Sequence, residues 1–234
     1  MSTGGKLGVE LNSFLVGLLI CYIPFLSLFL AVIQLKRSYQ SVKSNERRDQ
    51  ILQVLAGMLE HPQQIKITTG ALAAQLGISE SSIYRCFSSK SQMFEALIEF
   101  IERTLFVLIN KILQEEQCGI KRIENLLLLL LGFSQKNPGM TRILIGDALV
   151  NENEHLQLRI SQLHDRLEAT LKQALRFAVS ERQINASLDV VAQANLFMCF
   201  VIGRWYQFVR SGFRRSPLIN WEVQRLILLP PPLL

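Results

Sequence analysis

Residues 68–87 read TTGALAAQLGISESSIYRCF, two short helical patterns hinged on one glycine. Thr68 or Thr69 can cap GALAAQL, because a threonine hydroxyl accepts from the free N–H groups of a first turn. Gly77 supplies the left-handed residue that ends that helix, and Ser79 stands where a cap for ESSIYRCF is needed. Ala73 is small where two helices would cross closely, and Ile78 and Ile83 can pin the second helix to the first. This is the spacing of a helix-turn-helix. The exposed start of its second helix presents Ser79, Glu80, Ser81, Ser82 and Arg85, short polar groups and one long base able to reach base edges and phosphates. Two packed helices with no nucleic-acid role are the plainer alternative.

Outward from this stretch, apolar residues recur every three or four positions from Glu46 onward with no alternating strand pattern, so the body is expected to be all-α. Ile51, Leu52, Leu55, Met58 and Leu59 line a first helix that stops before His61 and Pro62, and Gln63–Lys66 reads as a loop. Ser89 to Gln92 has capping-box spacing for a long fourth helix. Leu126–Leu131 is six leucines in a row, extended by Gly132 and Phe133. It is too short to span a bilayer, so it reads as a helix buried nearly all round. Asn137, Pro138 and Gly139 turn the chain, and a short sixth helix is expected over Met140–Leu149. Glu154 to Ser180 is a long amphipathic helix, and Ser187 is placed to cap another over Leu188–Arg210. These two suit a symmetric dimer whose recognition helices stand one DNA turn apart, about 34 Å, on a palindromic site.

The 234 residues are 49% hydrophobic and 19% charged, which excludes disorder as the main state. A net charge of +6 favours an anionic partner such as nucleic acid or an acidic membrane. Cys21, Cys86, Cys118 and Cys199 form no CxxC pair, against both a disulfide framework and a zinc knuckle. Phe14 to Ile33 is uncharged and long enough to cross a bilayer, with Lys36, Arg37, Lys43, Arg47 and Arg48 crowding its C-terminal side. Residues 1–34 are therefore either a translated leader upstream of the real start or a membrane helix. A basic arm and helix-turn-helix domain follows over 35–90, then a helical regulatory, partner-binding and dimerisation domain over 91–229 and a tail over 230–234.

Tyr84-Arg85-Cys86-Phe87-Ser88-Ser89-Lys90 resembles the Tyr-x-x-Phe-x-x-Lys signature that closes the three-helix DNA-binding domain of the TetR family. The resemblance implies that Tyr84 and Lys90 contact backbone phosphates while Phe87 packs inside. Cys86 departs from the pattern, where relatives often carry histidine or tyrosine, and puts one phosphate contact in doubt. The expected DNA-facing set is Arg47 and Arg48 of the arm, Thr68, Thr69, Ser79, Glu80, Ser81, Ser82, Tyr84, Arg85 and Lys90.

SKSQMFEALIEFIERTL and LLLLLLGFSQKNPGMTRILIGDAL are similar to the nucleoid-occlusion branch of that family, with likeness over roughly 45–212. It implies a homodimer, with higher-order assembly on DNA left open, that is cytoplasmic and nucleoid-associated, binds double-stranded palindromic sites, and binds FtsZ to antagonise its ring. The implied FtsZ surface lies between the fourth and fifth helices at Phe100, Leu129, Gly132, Lys136 and Asn137, though Phe100 and Leu129 read equally well as core. Such proteins lack a membrane leader, so a start near Val32 or Leu35 is expected. Two other readings stay open: a ligand-responsive TetR-type repressor, which needs an open polar pocket that the leucine-packed interior argues against, and a membrane-tethered protein with residues 11–35 as a real anchor.

No GxGxxG, Walker loop, HExxH or GxSxG occurs, so neither an enzyme nor a cofactor is expected. Glu152, Glu154, His155, His164 and Asp165 gather near one helix start, where acids complement the dipole more often than they hold a metal. Arg204, Arg210, Arg214 and Arg215 form a basic strip.

Overall fold

A computed structural model describes residues 43–61, 67–150, 152–229 and 231. The apolar leader 1–34, the basic arm up to residue 42, the loop Gln63–Lys66 and all of the tail but Pro231 lie outside the described residues. The chain divides into two units, Met1–Arg48 and Asp49–Leu234.

The described residues form helices α1 (Lys43–Glu60), α2 (Thr69–Leu76), α3 (Glu80–Tyr84), α4 (Lys90–Glu115), α5 (Gly119–Lys136), α6 (Pro138–Leu144), a 3-10 turn Asp147–Leu149, α7 (Glu154–Ser180), α8 (Val190–Arg210) and α9 (Trp221–Leu228). The fold is all-α. Side-chain caps set several of the starts. Thr68 Oγ1 accepts from the Ala71 N–H at 3.1 Å, Ser89 Oγ from Gln92 at 3.1 Å, and Asn153 Oδ1 from His155 at 2.9 Å. Each cap satisfies a donor that the helix cannot pair internally.

Four local expectations need correction. Ser79 occupies the cap position of α3, but its hydroxyl bonds the Ser81 and Ser82 hydroxyls, each at 2.9 Å, and no backbone N–H. α3 ends at Tyr84 rather than Phe87, because the Cys86 and Phe87 N–H groups both turn back to the Ile83 carbonyl. α6 begins at Pro138, whose fixed φ suits a first helical position where no N–H partner exists, and ends at Leu144 before a left-handed Gly146. Asp189, not Ser187, caps α8: its carboxylate accepts from both Val191 and Ala192, a stronger charge-assisted cap than a hydroxyl. In addition α9 follows a turn with left-handed Asn220, and no capping residue in the sequence had announced it.

α5 sits at the centre of the second unit, in contact with α4, α7 and α8. Leu126, Leu127, Leu129, Leu130, Leu131 and Phe133 are buried, while Leu128 is half-buried. Trp205 of α8 is fully enclosed, and its ring N–H donates to the Leu130 carbonyl at 3.1 Å. Each fully buried leucine contributes about 1.5–3 kcal/mol by leaving water, so a six-leucine run demands partners on nearly every side. α8 buries Ala194, Phe197, Met198, Val201, Trp205 and Phe208 on one face and leaves Leu196 and Tyr206 exposed on the other. Among the described residues no helix is long and apolar enough to cross a membrane.

Candidate nucleic-acid interface

Gly77 turns the chain between α2 and α3 at φ 64°, a region that a Cβ disfavours, and the Ile78 N–H closes on the Ala73 carbonyl at 3.0 Å. Ala73, Ile83 and Phe87 are buried beneath the turn, and Ile78 is half-buried. The outer side of the motif is polar: Thr68, Ser79, Glu80, Ser81, Tyr84 and Arg85 are exposed, and Ser82 and Thr69 are half-buried. Arg47 is exposed and Arg48 half-buried on α1, both within the first unit.

These residues do not stand as independent readers. The Thr69 hydroxyl donates to Glu80 Oε2 at 3.0 Å and lies 3.4 Å from the Tyr84 hydroxyl. Gly70 makes room for this, since a Cβ there would meet Glu80 Oε1 at 3.0 Å. Glu80 is thus folded back on the start of α2, where a carboxylate complements the helix dipole, and its reach toward a base edge is reduced. Tyr84 keeps half its surface open with its hydroxyl steered by Thr69. Lys90, first residue of α4, pairs with Glu152 at 2.5 Å and lies 5.4 Å from the Phe94 ring. No sequence pattern had linked Lys90 to Glu152, because the two are 62 residues apart.

The α4–α5 set is more enclosed. Phe100 and Asn137 are half-buried, Leu129 and Gly132 are buried, and Lys136 is exposed. The Asn137 amide donates to the Phe133 carbonyl at 2.7 Å, so it closes the end of α5. Arg142, unnoticed in the sequence, donates to the Leu59 carbonyl at 3.2 Å and pairs with Asp147 at 2.6 Å, tying α6 to the end of α1.

The polar group around α7 disperses. Glu152 goes to Lys90 and His155 lies 3.5 Å from Glu95. His164 is turned inward beside Trp205 with its Nε2 unpartnered; burial pushes its pKa down, against a hydrogen bond to Leu144 and the Asp165 charge. Among the described residues no group of three or more His, Cys, Asp or Glu side chains could hold a metal. Of the basic strip, Arg204 is buried, donates to the Ile219 carbonyl and lies over the Phe200 ring, and burial and the Arg215 charge hold its pKa down. Arg210 lies over Tyr206. An open cavity of about 300 Å³ lies between α5 and α9, lined by Leu128, Leu218, Asn220, Trp221, Glu222 and Val223.

This arrangement defines a helix-turn-helix DNA-binding regulator of the TetR family. The family model described as bacterial regulatory proteins, tetR family, matches residues 66–97, and that of the tetracyclin repressor-like C-terminal domain of SlmA-like proteins matches 117–230. The chain is 51% identical over 184 residues to the nucleoid occlusion factor SlmA of Alteromonas mediterranea, covering 79% of this chain and 94% of that one. It is 47% identical over 188 residues to SlmA of Marinomonas sp., covering 80% and 95%. The chain belongs to the SlmA family of nucleoid occlusion factors. Among solved structures, a TetR-family transcriptional regulator from Agrobacterium tumefaciens superposes with a TM-score of 0.68 at 15% identity, over 80% of this chain and 100% of that one, which speaks for the fold alone.

Proposed function

We propose that the chain acts as a homodimer on palindromic chromosomal sites and there binds FtsZ, opposing assembly of the division ring over the nucleoid. Its action is non-enzymatic and needs no cofactor: DNA concentrates and spaces the dimers, and the α4–α5 surface engages the partner. The observation that carries this reading is near-half identity, along four-fifths of the chain, to proteins named nucleoid occlusion factors. The domain boundaries drawn above fit it, with 35–90 facing DNA and 91–229 supplying dimer and partner surfaces, in a protein that works in the cytoplasm at the nucleoid.

On the DNA side, Tyr84 and Lys90 would grip phosphates and set register, Arg47 and Arg48 would add sequence-independent attraction, and Ser79, Ser81, Ser82 and Arg85 would face the groove. Thr68 caps α2 and Thr69 and Glu80 orient Tyr84, so their roles would be largely those of support. On the partner side, exposed Lys136 would attract an acidic or apolar peptide over a floor that begins at Phe100, with Leu129, Gly132 and Asn137 shaping the helices beneath it. The symmetric contact would use the exposed faces of α7 and α8, where Leu158, Leu196 and Tyr206 are each at least half open to solvent.

Co-sedimentation of the full chain with FtsZ polymers, with and without a palindromic duplex selected from random DNA by the protein itself, tests this. The expected result is duplex-promoted association or polymer loss, abolished by Lys136→Asp with duplex affinity unchanged. Selection of a duplex with no effect on FtsZ would favour a ligand-responsive repressor instead. Loss of both activities in Lys136→Asp would make Lys136 a structural residue.

A further inference from the structure

Glu152 belongs to none of the local patterns that mark the helix-turn-helix, yet it ends a bracket that reaches back to it. α6 leans on α1 at Gly139, where a Cβ would stand 1.9 Å from the Ala56 carbonyl oxygen, so only a glycine permits the approach. One turn further on, Arg142 bonds the Leu59 carbonyl and pairs with Asp147. The 3-10 turn Asp147–Leu149 then carries the chain to Glu152, which meets Lys90 at 2.5 Å. The carboxylate is the more enclosed partner: its side chain is 15% exposed, against 36% for Lys90. The ammonium is held by the enclosed carboxylate, while about a third of the Lys90 side chain stays exposed.

We propose that Glu152 is a positioning residue and internal counter-anion for Lys90, aiming its ammonium outward and at the same time competing with a DNA phosphate for it. The proposal rests on the reading of Lys90 as a phosphate contact. An ammonium is a compact point charge with three donors, and a carboxylate and a phosphate satisfy it equally well. A phosphate that approaches Lys90 also approaches a fixed negative charge, and enclosure leaves that charge poorly screened. Whether the lysine bridges the two anions or exchanges one for the other, the carboxylate takes back part of the attraction. The restraint acts on backbone contact, so it sets absolute affinity and salt dependence and leaves sequence preference alone.

The test compares the full-length wild-type chain with Glu152→Gln, Glu152→Asp, Lys90→Gln and the Lys90→Gln/Glu152→Gln double variant. Each is titrated with the duplex that the wild type selects from random DNA and with an unrelated duplex, over a series of salt concentrations. Glutamine keeps an acceptor for Lys90 and removes only the charge. Glu152→Gln is expected to bind both duplexes about three- to tenfold tighter at low salt, with the advantage shrinking as salt rises and a salt slope steeper by about one. Glu152→Asp should stay near wild type, and Glu152→Gln should bring no gain once Lys90 is glutamine. The proposal is overturned if folded Glu152→Gln binds no tighter than wild type, or if its gain persists without Lys90. Glu152→Asn, with the same expectation, decides the matter should Glu152→Gln lose its cooperative unfolding transition. Failure of the wild type to bind any duplex would overturn the DNA-binding reading itself, and the proposal with it.

Discussion

The segment Thr68–Lys90 and the leucine run Leu126–Leu131 are built in opposite ways. In the first, two helices of eight and five residues are fixed by a threonine cap, a left-handed glycine and a few buried side chains. The polar groups that give the segment its chemistry stay outside. In the second, a helix of eighteen residues buries five of its six consecutive leucines among the helices packed around it. Function and packing are therefore separable in the first region, where a side chain can be changed without emptying the core. They are entangled in the second, since Leu129 and Gly132 belong to the candidate partner surface and are also buried.

Five substitutions sharpen or break this contrast. The largest effect is expected from Trp205→Ala, which empties a fully buried site beside the leucine run and leaves the Leu130 carbonyl without its donor. Urea unfolding should show a loss of about 3–5 kcal/mol. A loss below about 1 kcal/mol would mean that α5 and α8 do not share one core. Next come Tyr84→Phe and Lys90→Gln, each expected to cost about tenfold in duplex affinity on any sequence; Tyr84→Phe should move stability by no more than about 0.5 kcal/mol, whereas Lys90→Gln, which strips the enclosed Glu152 of its cation, should cost about 1 kcal/mol. Fluorescence anisotropy at several salt concentrations reads this, and a flatter salt dependence should accompany the lysine variant. An affinity loss confined to one sequence would make these residues base readers.

Thr68→Ala removes the hydroxyl that caps α2, and thermal unfolding should register about 1 kcal/mol, largely restored by serine. The smallest effect belongs to His164. Burial lowers its folded pKa below the ordinary value near 6.5, so the unfolded chain takes up a proton more readily. Its contribution to stability should be complete above that value and decline as pH falls from about 6.5 toward the folded pKa. His164→Gln should flatten the stability profile there, and an unchanged slope would assign the pH dependence to other groups.

The helix-turn-helix was legible because its determinants are near neighbours in the chain. Thr68 to Ala71, Ala73 to Gly77 and Ile83 to Phe87 span at most five positions, and backbone geometry alone dictates which residues suit them. The long α7 was read with its observed ends for the same reason, since a 3.6-residue stripe bounded by Asn153 leaves little choice. Ser79 and Ser187 misled because a hydroxyl at a plausible offset fits a cap as well as it fits a turn. The Ser187 N–H in fact donates to Asn185 Oδ1, and the cap passes to Asp189. α9 escaped notice because the contacts that hold it, Trp221 against Phe200 and Arg225 paired with Glu124, have no local signature.

By itself the sequence determined an all-α chain with a helix-turn-helix near its start, a buried leucine helix at its centre and a polar face suited to phosphate. Those follow from periodicity, caps and one left-handed glycine, all of which act within a turn or two of helix. Only the tertiary structure decided which polar groups are free to act. It turned Glu80 back onto Thr69, closed Asn137 onto Phe133, drew Arg142 to the end of α1 and set Glu152 against Lys90. Each of these bonds, the Asn137 one excepted, joins groups that only folding brings within about 3 Å of each other, and whether a charge faces solvent or a partner is settled by that distance.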